Sequence, residues 1–415
     1  MPFPEVRPTP PGEPARRLVP PRSDDFRSPV HDPRVVARVG VLLGSAVVVL
    51  FLTGLVSHLS QHPVAWLPLP WGPTPSWGYR LTQGTHVAVG FACVPLLLAK
   101  LYAAYPRLFE RPPVRGPLHA VERASVAVLV AATTFQIVTG VLNVFQVYPW
   151  RFSFVAVHYA ASWVVVGSVV VHVGVKLPVI VAALRRPVGE DAPQPDAPEV
   201  QEGQDEDGAT TRRGFLAAVA VTTLGVVALT VGQTVRPLAP VALLAPRDPR
   251  VGPQGLPVNK TARSAGVETA AADPAWRLRL DGPGGARELA RADLLALAQA
   301  TAVVPIACVE GWSATATWSG VRVRDLVQLV GGTDRDDVRV ESLQEGGSYR
   351  ESVLPAAWIA SDDTLLALRL GGEDLDLDHG FPARVVAPNR PGVLQTKWVG
   401  RITVLSAAGA AGGAA

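Results

Sequence analysis

Cysteine is nearly absent from this chain of 415 residues, which contains only Cys93 and Cys308. Cys93 lies in a long apolar run, whereas Cys308 lies much later among Gly, Trp and Ser residues, so we expect no disulfide between them. A fold held by disulfides is therefore excluded. An isolated cysteine is usually a small apolar core residue, so a chemical role for Cys308 needs support from its neighbours.

Charge is also scarce. Charged residues make up 18% of the chain and the net charge is +3. The basic residues form no stripe interleaved with aromatic side chains. Because a nucleic-acid surface needs such a stripe and a larger positive excess, we expect no nucleic-acid partner.

Apolar residues are abundant and concentrated in the first 236 residues. Long apolar runs cover 35–58, 82–104, 121–143 and 154–183, and a milder run covers 214–235. A helix of about 20 residues crosses a hydrocarbon core of about 30 Å. The sequence therefore predicts an all-α four-helix transmembrane bundle over 34–186 and a further transmembrane helix over 211–236, in an integral membrane protein.

Basic residues mark one side of these runs. They cluster before the first run, between the second and third, and after the fourth, whereas the other two loops carry one arginine each, Arg80 and Arg151. By the positive-inside rule, the N-terminus is predicted in the cytoplasm and the C-terminal domain outside the plasma membrane. Residues 1–33, rich in Pro and Arg, are expected to be a disordered tail.

Residues 187–210 form an acidic linker with eight acidic and no basic residues. It leads into "TTRRGFLAAVAV", in which Arg212 and Arg213 precede an apolar run rich in Ala, Thr and Gly. This segment resembles a twin-arginine export signal, which implies the twin-arginine export machinery as a partner. The alternative is an ordinary fifth helix with two flanking arginines.

Four histidines lie within or at the ends of the apolar runs, and ionisable groups in a membrane are functional by default. His86 and His158 each open a run at the same predicted depth, and His172 follows His158 by 14 residues, close to four helical turns. Two imidazoles at equal depth on facing helices are the ligands that a haem requires. We therefore predict a haem b on His86 and His158, with His58 as a competing ligand, or a propionate or quinol partner.

The pattern resembles the di-haem membrane cytochrome b subunits of bacterial formate dehydrogenases and hydrogenases over about 35–185. In that family a histidine of the first helix helps to hold the second haem, whereas this chain has Gly40 there. His172 is then a ligand without an assigned partner, and His119 lies too deep. The resemblance implies one haem and leaves a second open, with membrane lipid and quinone or quinol as partners.

Beyond an extended tether over 237–272, strands and short helices alternate, which predicts an α+β domain over 273–406, followed by a flexible tail over 407–415. In "PAWRLRLDG" the alternation of Trp276, Leu278 and Leu280 indicates a half-buried strand. "TAVVPIAC" reads as a buried strand that ends at Cys308. The domain is long enough to bury its own core.

Several motifs of this domain resemble the molybdopterin oxidoreductases of the sulfite-oxidase fold. They are "CVEGWS" followed by "WSGVRVRDL", then "HGFPAR" and "LQTKW". The resemblance implies that Cys308 provides a thiolate to molybdenum, a soft donor that a metal deprotonates. It implies that the pterin and its phosphate contact the following residues: His379, Arg384, Thr396, Lys397 and, from the tether, Asn259.

Glu310, two residues after Cys308, limits the kind of substrate that we expect. "CVE" resembles the bacterial periplasmic protein-methionine-sulfoxide reductase, and an acid beside the metal disfavours sulfite. We predict reduction of a sulfoxide-type, oxo-transfer substrate by electrons from quinol, with Glu310 as proton donor and Trp312 shaping the pocket. The alternatives are an outward-facing dehydrogenase that feeds quinone, and a cofactor-free binding or sensing domain on a membrane anchor.

Overall fold

A computed structural model describes residues 22–26, 28–64, 67, 71–187, 211–248 and 250–405. The acidic linker over 188–210, the C-terminal tail over 406–415 and most of the N-terminal tail lie outside the described residues. The part of that tail next to the first helix is ordered, contrary to expectation. Pro29–His31 forms a short 3-10 turn whose Val30 is buried against Leu96 and Ala103.

Five helices in the N-terminal part are long and apolar enough to cross a membrane. They are α1 Pro33–Gln61, α2 Gly78–Ala104, α3 Pro117–Val144, α4 Phe154–Leu184 and α5 Arg212–Val231. Local sequence explains where they begin. The Asp32 carboxylate accepts the Arg34 amide at 2.7 Å before α1, and the Thr211 hydroxyl accepts the Gly214 amide at 3.0 Å before α5.

Neighbouring helices alternate in direction. α1 packs on α2 and α4, α3 packs on α2 and α4, and α5 packs on α2. The C-terminal ends of α1, α3 and α5 and the N-terminal end of α2 meet the C-terminal domain, through Gln61, Gln146, Gln233 and Gln83. We call this the domain end of the helices and the opposite one the far end.

Two five-stranded sheets build the C-terminal domain. The first has the order β2-β1-β10-β5-β6, and the second the order β3-β4-β7-β8 with β9 also paired to β7. The strands are β1 Arg277–Gly282, β2 Gly285–Ala290, β3 Ala300–Ala307, β4 Ser313–Arg322, β5 Asp337–Ser342, β6 Glu351–Leu354, β7 Leu365–Leu370, β8 Glu373–Asp374, β9 Arg384–Val386 and β10 Val399–Leu405. The short helices are α6 Ala262–Ala265, α7 Glu268–Ala272, α8 Arg291–Ala296, α9 Val323–Leu329 and α10 Ala356–Ile359.

Alternating side chains bury one face of the first sheet. In β1, Leu278 and Leu280 are buried while Arg277 and Arg279 are exposed, which confirms the predicted alternation. Leu278 and Leu280 join a core that also includes Val340 of β5.

The segment before residue 273 differs from the extended tether that the sequence predicted. In α6 and α7, Ala262 and Ala271 pack with Val267 against Trp398, the residue before β10. The Asp378 carboxylate accepts the Ala262 amide at 2.7 Å. This small apolar cluster attaches the end of the tether to the domain, so the folded unit begins about ten residues earlier than expected.

Candidate functional site

Cys308 lies in a tight turn over 308–312 that joins β3 to β4. The Cys308 amide donates to the Trp312 carbonyl at 2.9 Å, and the Gly311 amide donates to the Cys308 carbonyl at 3.1 Å. Gly311 has a φ of 95°, which a residue with a Cβ rarely adopts. The thiol is only 2% exposed, and burial raises its pKa. A thiolate here therefore needs a metal or another cation to stabilise it.

A narrow pocket brings four predicted residues together with Cys308. It is lined by Leu256, Pro257, Asn259, Ile306, Cys308, Trp312, His379, Arg384, Gly392 and Lys397. Thr396 does not line this pocket. Its hydroxyl instead contacts the hydroxyl of Ser352 at 2.9 Å. The structure thus assembles Asn259, His379, Arg384 and Lys397 around the thiol, whereas Thr396 and Glu310 do not line this pocket.

Among the described residues, two cations of this pocket have no carboxylate partner. Arg384 is buried and donates only to carbonyls, those of His379 at 3.2 Å and Gln395 at 3.5 Å, and its Nε has no partner. Lys397 donates to the carbonyls of Lys260 and Asp378, each at 2.8 Å. Burial lowers the pKa of Arg384 to about 10 and that of Lys397 to about 7. Uncompensated buried charges of this kind favour an anionic ligand.

His379 is fixed as a neutral imidazole. Its Nε2 donates to the carbonyl of Pro253 at 2.6 Å, and burial lowers its pKa to about 4. Nδ1 is then an acceptor on the same ring. The pocket therefore offers cationic donors on one side and a neutral acceptor on another.

Glu310 connects three parts of the chain. Its carboxylate accepts from Arg247 Nε at 2.7 Å, from Trp312 Nε1 at 2.9 Å and from the Gln146 amide nitrogen. Burial raises the pKa of Glu310, and the contact with Arg247 opposes that effect. No local pattern marked Arg247 or Gln146, because both contact Glu310 only through the tertiary fold.

The 308–312 turn rests on the domain end of the helices. Gln83 Nε2 donates to the Val309 carbonyl at 2.6 Å, and the Thr234 hydroxyl donates to the Gly311 carbonyl. The Ser313 amide donates to the Gln233 carbonyl at 3.0 Å. Gln83 lies three residues before His86, so the helix that carries this histidine also holds the turn that carries Cys308.

The His86 and His158 side chains face each other across the helices. Their ring centres are 6.3 Å apart and the rings are inclined by 73°. His86 Nδ1 lies 3.1 Å from the Leu50 carbonyl, and His158 Nδ1 lies 3.2 Å from the Thr139 hydroxyl. Within the described part of the chain, neither Nε2 has a hydrogen bond.

Glycines make room for both rings. A Cβ at Gly54 would lie 2.9 Å from His86 Cε1, and a Cβ at Gly140 would lie 3.2 Å from His158 Cε1. The two histidines line a cavity of about 390 Å³ that also reaches Val309 and Glu310.

The other membrane histidines are placed differently. His58 lines the same cavity but stacks on Tyr159, with ring centres 3.7 Å apart, and does not face His86. His119 Nδ1 accepts the Arg115 amide at 3.2 Å. His172 lies toward the far end of α4 and makes no ring contact with another histidine among the described residues.

Residues 265–411 match the family model of the oxidoreductase molybdopterin binding domain. Sulfite oxidase of Arabidopsis thaliana is 34% identical over 114 residues, covering 23% of this chain and 29% of that protein. Mitochondrial sulfite oxidase of Rattus norvegicus is 37% identical over 103 residues, covering 23% of this chain and 19% of that protein. Nitrate reductase [NAD(P)H] of Hordeum vulgare is 34% identical over 103 residues, covering 23% of this chain and 12% of that protein.

The chain thus spans less than a third of the length of each of these relatives. The match lies in the domain that contains Cys308 and its pocket, and it does not extend to the five long apolar helices. Residues 265–411 are thus similar to an oxidoreductase molybdopterin binding domain and to sulfite oxidases, and they follow five helices that are long enough to span a membrane.

Proposed function

We propose that this protein passes electrons between membrane quinol, a haem b and a molybdenum centre, and that it reduces an uncharged oxo-transfer substrate such as a sulfoxide. One observation carries the proposal. The turn of Cys308 rests on α2 through Gln83, one helical turn from His86. The two predicted cofactor sites are therefore adjacent within a single chain.

The pocket around Cys308 fits a molybdopterin. Cys308 would bind the metal through its thiolate, and Arg384 and Lys397 would bind the phosphate, which supplies the anion that these buried cations lack. His379 and Asn259 would contact the pterin. Thr396 would support the neighbouring Lys397, because the contact between its hydroxyl and that of Ser352 holds this part of the backbone in place.

The cavity between α1, α2, α3 and α4 fits a haem b. His86 and His158 would hold the iron through their Nε2 atoms, which have no hydrogen bond among the described residues, while their Nδ1 atoms lie against the Leu50 carbonyl and the Thr139 hydroxyl. Gly54 and Gly140 leave room for the rings. His58, on the same cavity, would meet a haem propionate or a quinol.

The two cofactors supply oxygen-atom transfer and single-electron transfer, respectively. Overall, a quinol and a sulfoxide become a quinone, a sulfide and water, with two electrons and two protons passing from the quinol to the sulfoxide. Glu310 would donate a proton near the metal. Because Arg247 stabilises its carboxylate, Arg247 must withdraw from Glu310 before that carboxyl can hold the proton.

The carboxylate of Glu310 supports an uncharged substrate. Glu310 lies two residues after Cys308 and pairs with Arg247 at 2.7 Å. Sulfite and nitrate are anions, and a paired carboxylate and guanidinium offer them no net positive charge. Trp312 donates to Glu310 and lines the pterin pocket, so it would orient the carboxyl in addition to shaping the site.

The orientation belongs to the same proposal. We place the C-terminal domain outside the plasma membrane, carried there by the twin-arginine export machinery, because basic residues cluster at the far end of the helices. In the folded chain Arg212 lies 3.3 Å from Asp32, which gives one arginine of the signal a structural contact as well.

The test is the molybdenum and haem content of the purified chain, compared with Cys308→Ala and His158→Ala. We expect molybdenum to be lost only in the cysteine variant and the b-type absorbance only in the histidine variant. Methionine sulfoxide should then oxidise the quinol-reduced haem. If wild-type protein made with full pterin supply contains no molybdenum, the enzyme proposal fails and a binding domain on a membrane anchor remains. Reduction of the haem by a substrate would instead indicate a dehydrogenase.

A further inference from the structure

Three helices carry the same kind of position twice, 14 residues apart, which is about four helical turns or about 21 Å. We call Gly54, His86 and His158 the domain-side layer. The corresponding far-side layer consists of Gly40, Lys100 and His172. The far-side layer therefore repeats the predicted haem site with a lysine in place of one histidine.

The lysine occupies the space that the imidazole occupies in the other layer. A Cβ at Gly54 would lie 2.9 Å from His86 Cε1, and a Cβ at Gly40 would lie 2.6 Å from Lys100 Nζ. Lys100 Nζ donates to the Val36 carbonyl of α1 at 2.7 Å. The side chain thus fills the gap between α1 and α2 and is held by the backbone of α1.

Other imidazoles do not complete the far-side layer. His31 Nδ1 lies 3.2 Å from the Ala103 carbonyl, and His119 Nδ1 accepts the Arg115 amide at 3.2 Å. Within the described ranges, His172 has no facing histidine of the kind that His158 has in His86. Since a bis-imidazole haem needs two such ligands, these residues do not fit a second haem.

We propose that Lys100 excludes a second haem, so that quinol is oxidised at the domain end, on the same side of the membrane as the molybdenum site. This inference rests on the proposed function. The two protons that quinol releases and the two that the sulfoxide consumes are then exchanged on the same side of the membrane. The reaction moves no electrons across the membrane and generates no membrane potential.

The first experiment counts haem in the full-length chain. We expect one haem per chain in the wild type and in Lys100→Met, and a second haem in Lys100→His, which gives the far-side layer the residues of the domain-side layer. Adding His172→Ala to Lys100→His should return the count to one. Two haems in the wild type, with one lost in Lys100→Met, would show that Lys100 is a ligand and overturn the proposal. So would a correctly folded Lys100→His variant, retaining the domain-side haem spectrum, that gains none.

The second experiment measures charge movement. The wild-type chain in sealed phospholipid vesicles receives a short-chain quinol and methionine sulfoxide, and a potential-sensitive dye reports the membrane potential. We expect turnover without a potential, whereas a potential that grows with turnover overturns the inference. Failure of the proposed function has a different result, which is a wild type without haem or molybdenum, or without turnover. The haem count of the lysine variants does not depend on turnover.

Discussion

At the residue scale, the pocket around Cys308 contains buried positive charge that a bound anionic ligand would compensate. Arg384 is buried and has no carboxylate partner among the described residues, whereas Arg401 is half-exposed and pairs with Asp281 at 2.6 Å. A buried charge without a counterion destabilises the fold, while an exposed ion pair contributes little. The residues that favour cofactor binding should therefore reduce the stability of the cofactor-free protein.

We expect Arg384→Met to stabilise the cofactor-free domain by about 1–4 kcal/mol and to lower its molybdopterin content strongly. Thermal unfolding of protein from pterin-deficient cells measures the first effect, and metal analysis of protein from replete cells measures the second. Arg401→Met is the control and should change stability by about 1 kcal/mol or less, with normal cofactor content. Destabilisation by Arg384→Met in the absence of cofactor would contradict the argument.

Lys397 should make this stability depend on pH. Its pKa is lowered by burial to about 7, whereas a lysine in an unfolded chain titrates near 10.4. Between these values the unfolded state binds a proton that the folded, cofactor-free state does not, so stability rises with pH. Urea unfolding from pH 7 to 10 should show a shallower rise in Lys397→Met. Equal slopes in the two proteins would exclude a buried, deprotonated Lys397.

At the element scale, helix spacing and strand alternation were predictable because both depend on nearby residues. The apolar runs gave the membrane helices to within a few residues, and β1 and β3 lie where alternation and a buried run placed them. β4 was missed since "SATATWSGVR" has few bulky apolar residues. Its Trp318 and Val321 are buried, but its Ser, Thr and Ala residues hide the strand pattern.

The site divides in the same way. Cys308, His379 and Arg384 belong to short motifs, so the sequence could propose them, and the structure places them in one pocket. Gln83 and Arg247 contact the 308–312 turn from segments far away in the chain, and no local pattern marks such contacts. What the sequence could not provide is the docking of the two domains.

Glycines on α1 offer a matched pair of substitutions. Gly54→Ala would place a Cβ 2.9 Å from His86 Cε1, whereas a Cβ at Gly44 meets nothing within 4 Å. Both changes gain about 1 kcal/mol in helix propensity. We expect Gly54→Ala to reduce haem content severalfold and Gly44→Ala to leave it unchanged, measured by b-type absorbance per chain. Equal haem content in both variants would mean that Gly54 is not needed beside the haem site.

At the scale of the whole molecule, the contact between α2 and the 308–312 turn joins the two domains. Gln83→Leu leaves the partly buried Val309 carbonyl without its donor, a loss of about 1 kcal/mol at the interface. We expect oxidation of the reduced haem by methionine sulfoxide to slow at least tenfold in stopped-flow measurements, with metal and haem contents preserved.

Gln61→Leu is the control for this change. Gln61 ends α1 and accepts the Tyr349 hydroxyl at 2.9 Å, so its loss also weakens the interface, but it has no contact with the turn. The rate of haem oxidation in Gln61→Leu should stay near that of the wild type. If both variants slow the reaction equally, general loosening of the interface accounts for the effect, and the contact of Gln83 with the turn is not specifically required.

The seating of the turn on α2 has a kinetic consequence. Two redox proteins that must find each other react at a rate that depends on their concentrations and on ionic strength, and a competitor can separate them. In the function that we propose, the donor and acceptor sites belong to one chain, and α2 already contacts the 308–312 turn, so their effective concentration would be fixed by the fold. Turnover per chain should be unaffected by dilution of the membranes, by salt, or by an excess of a soluble domain with the same pocket.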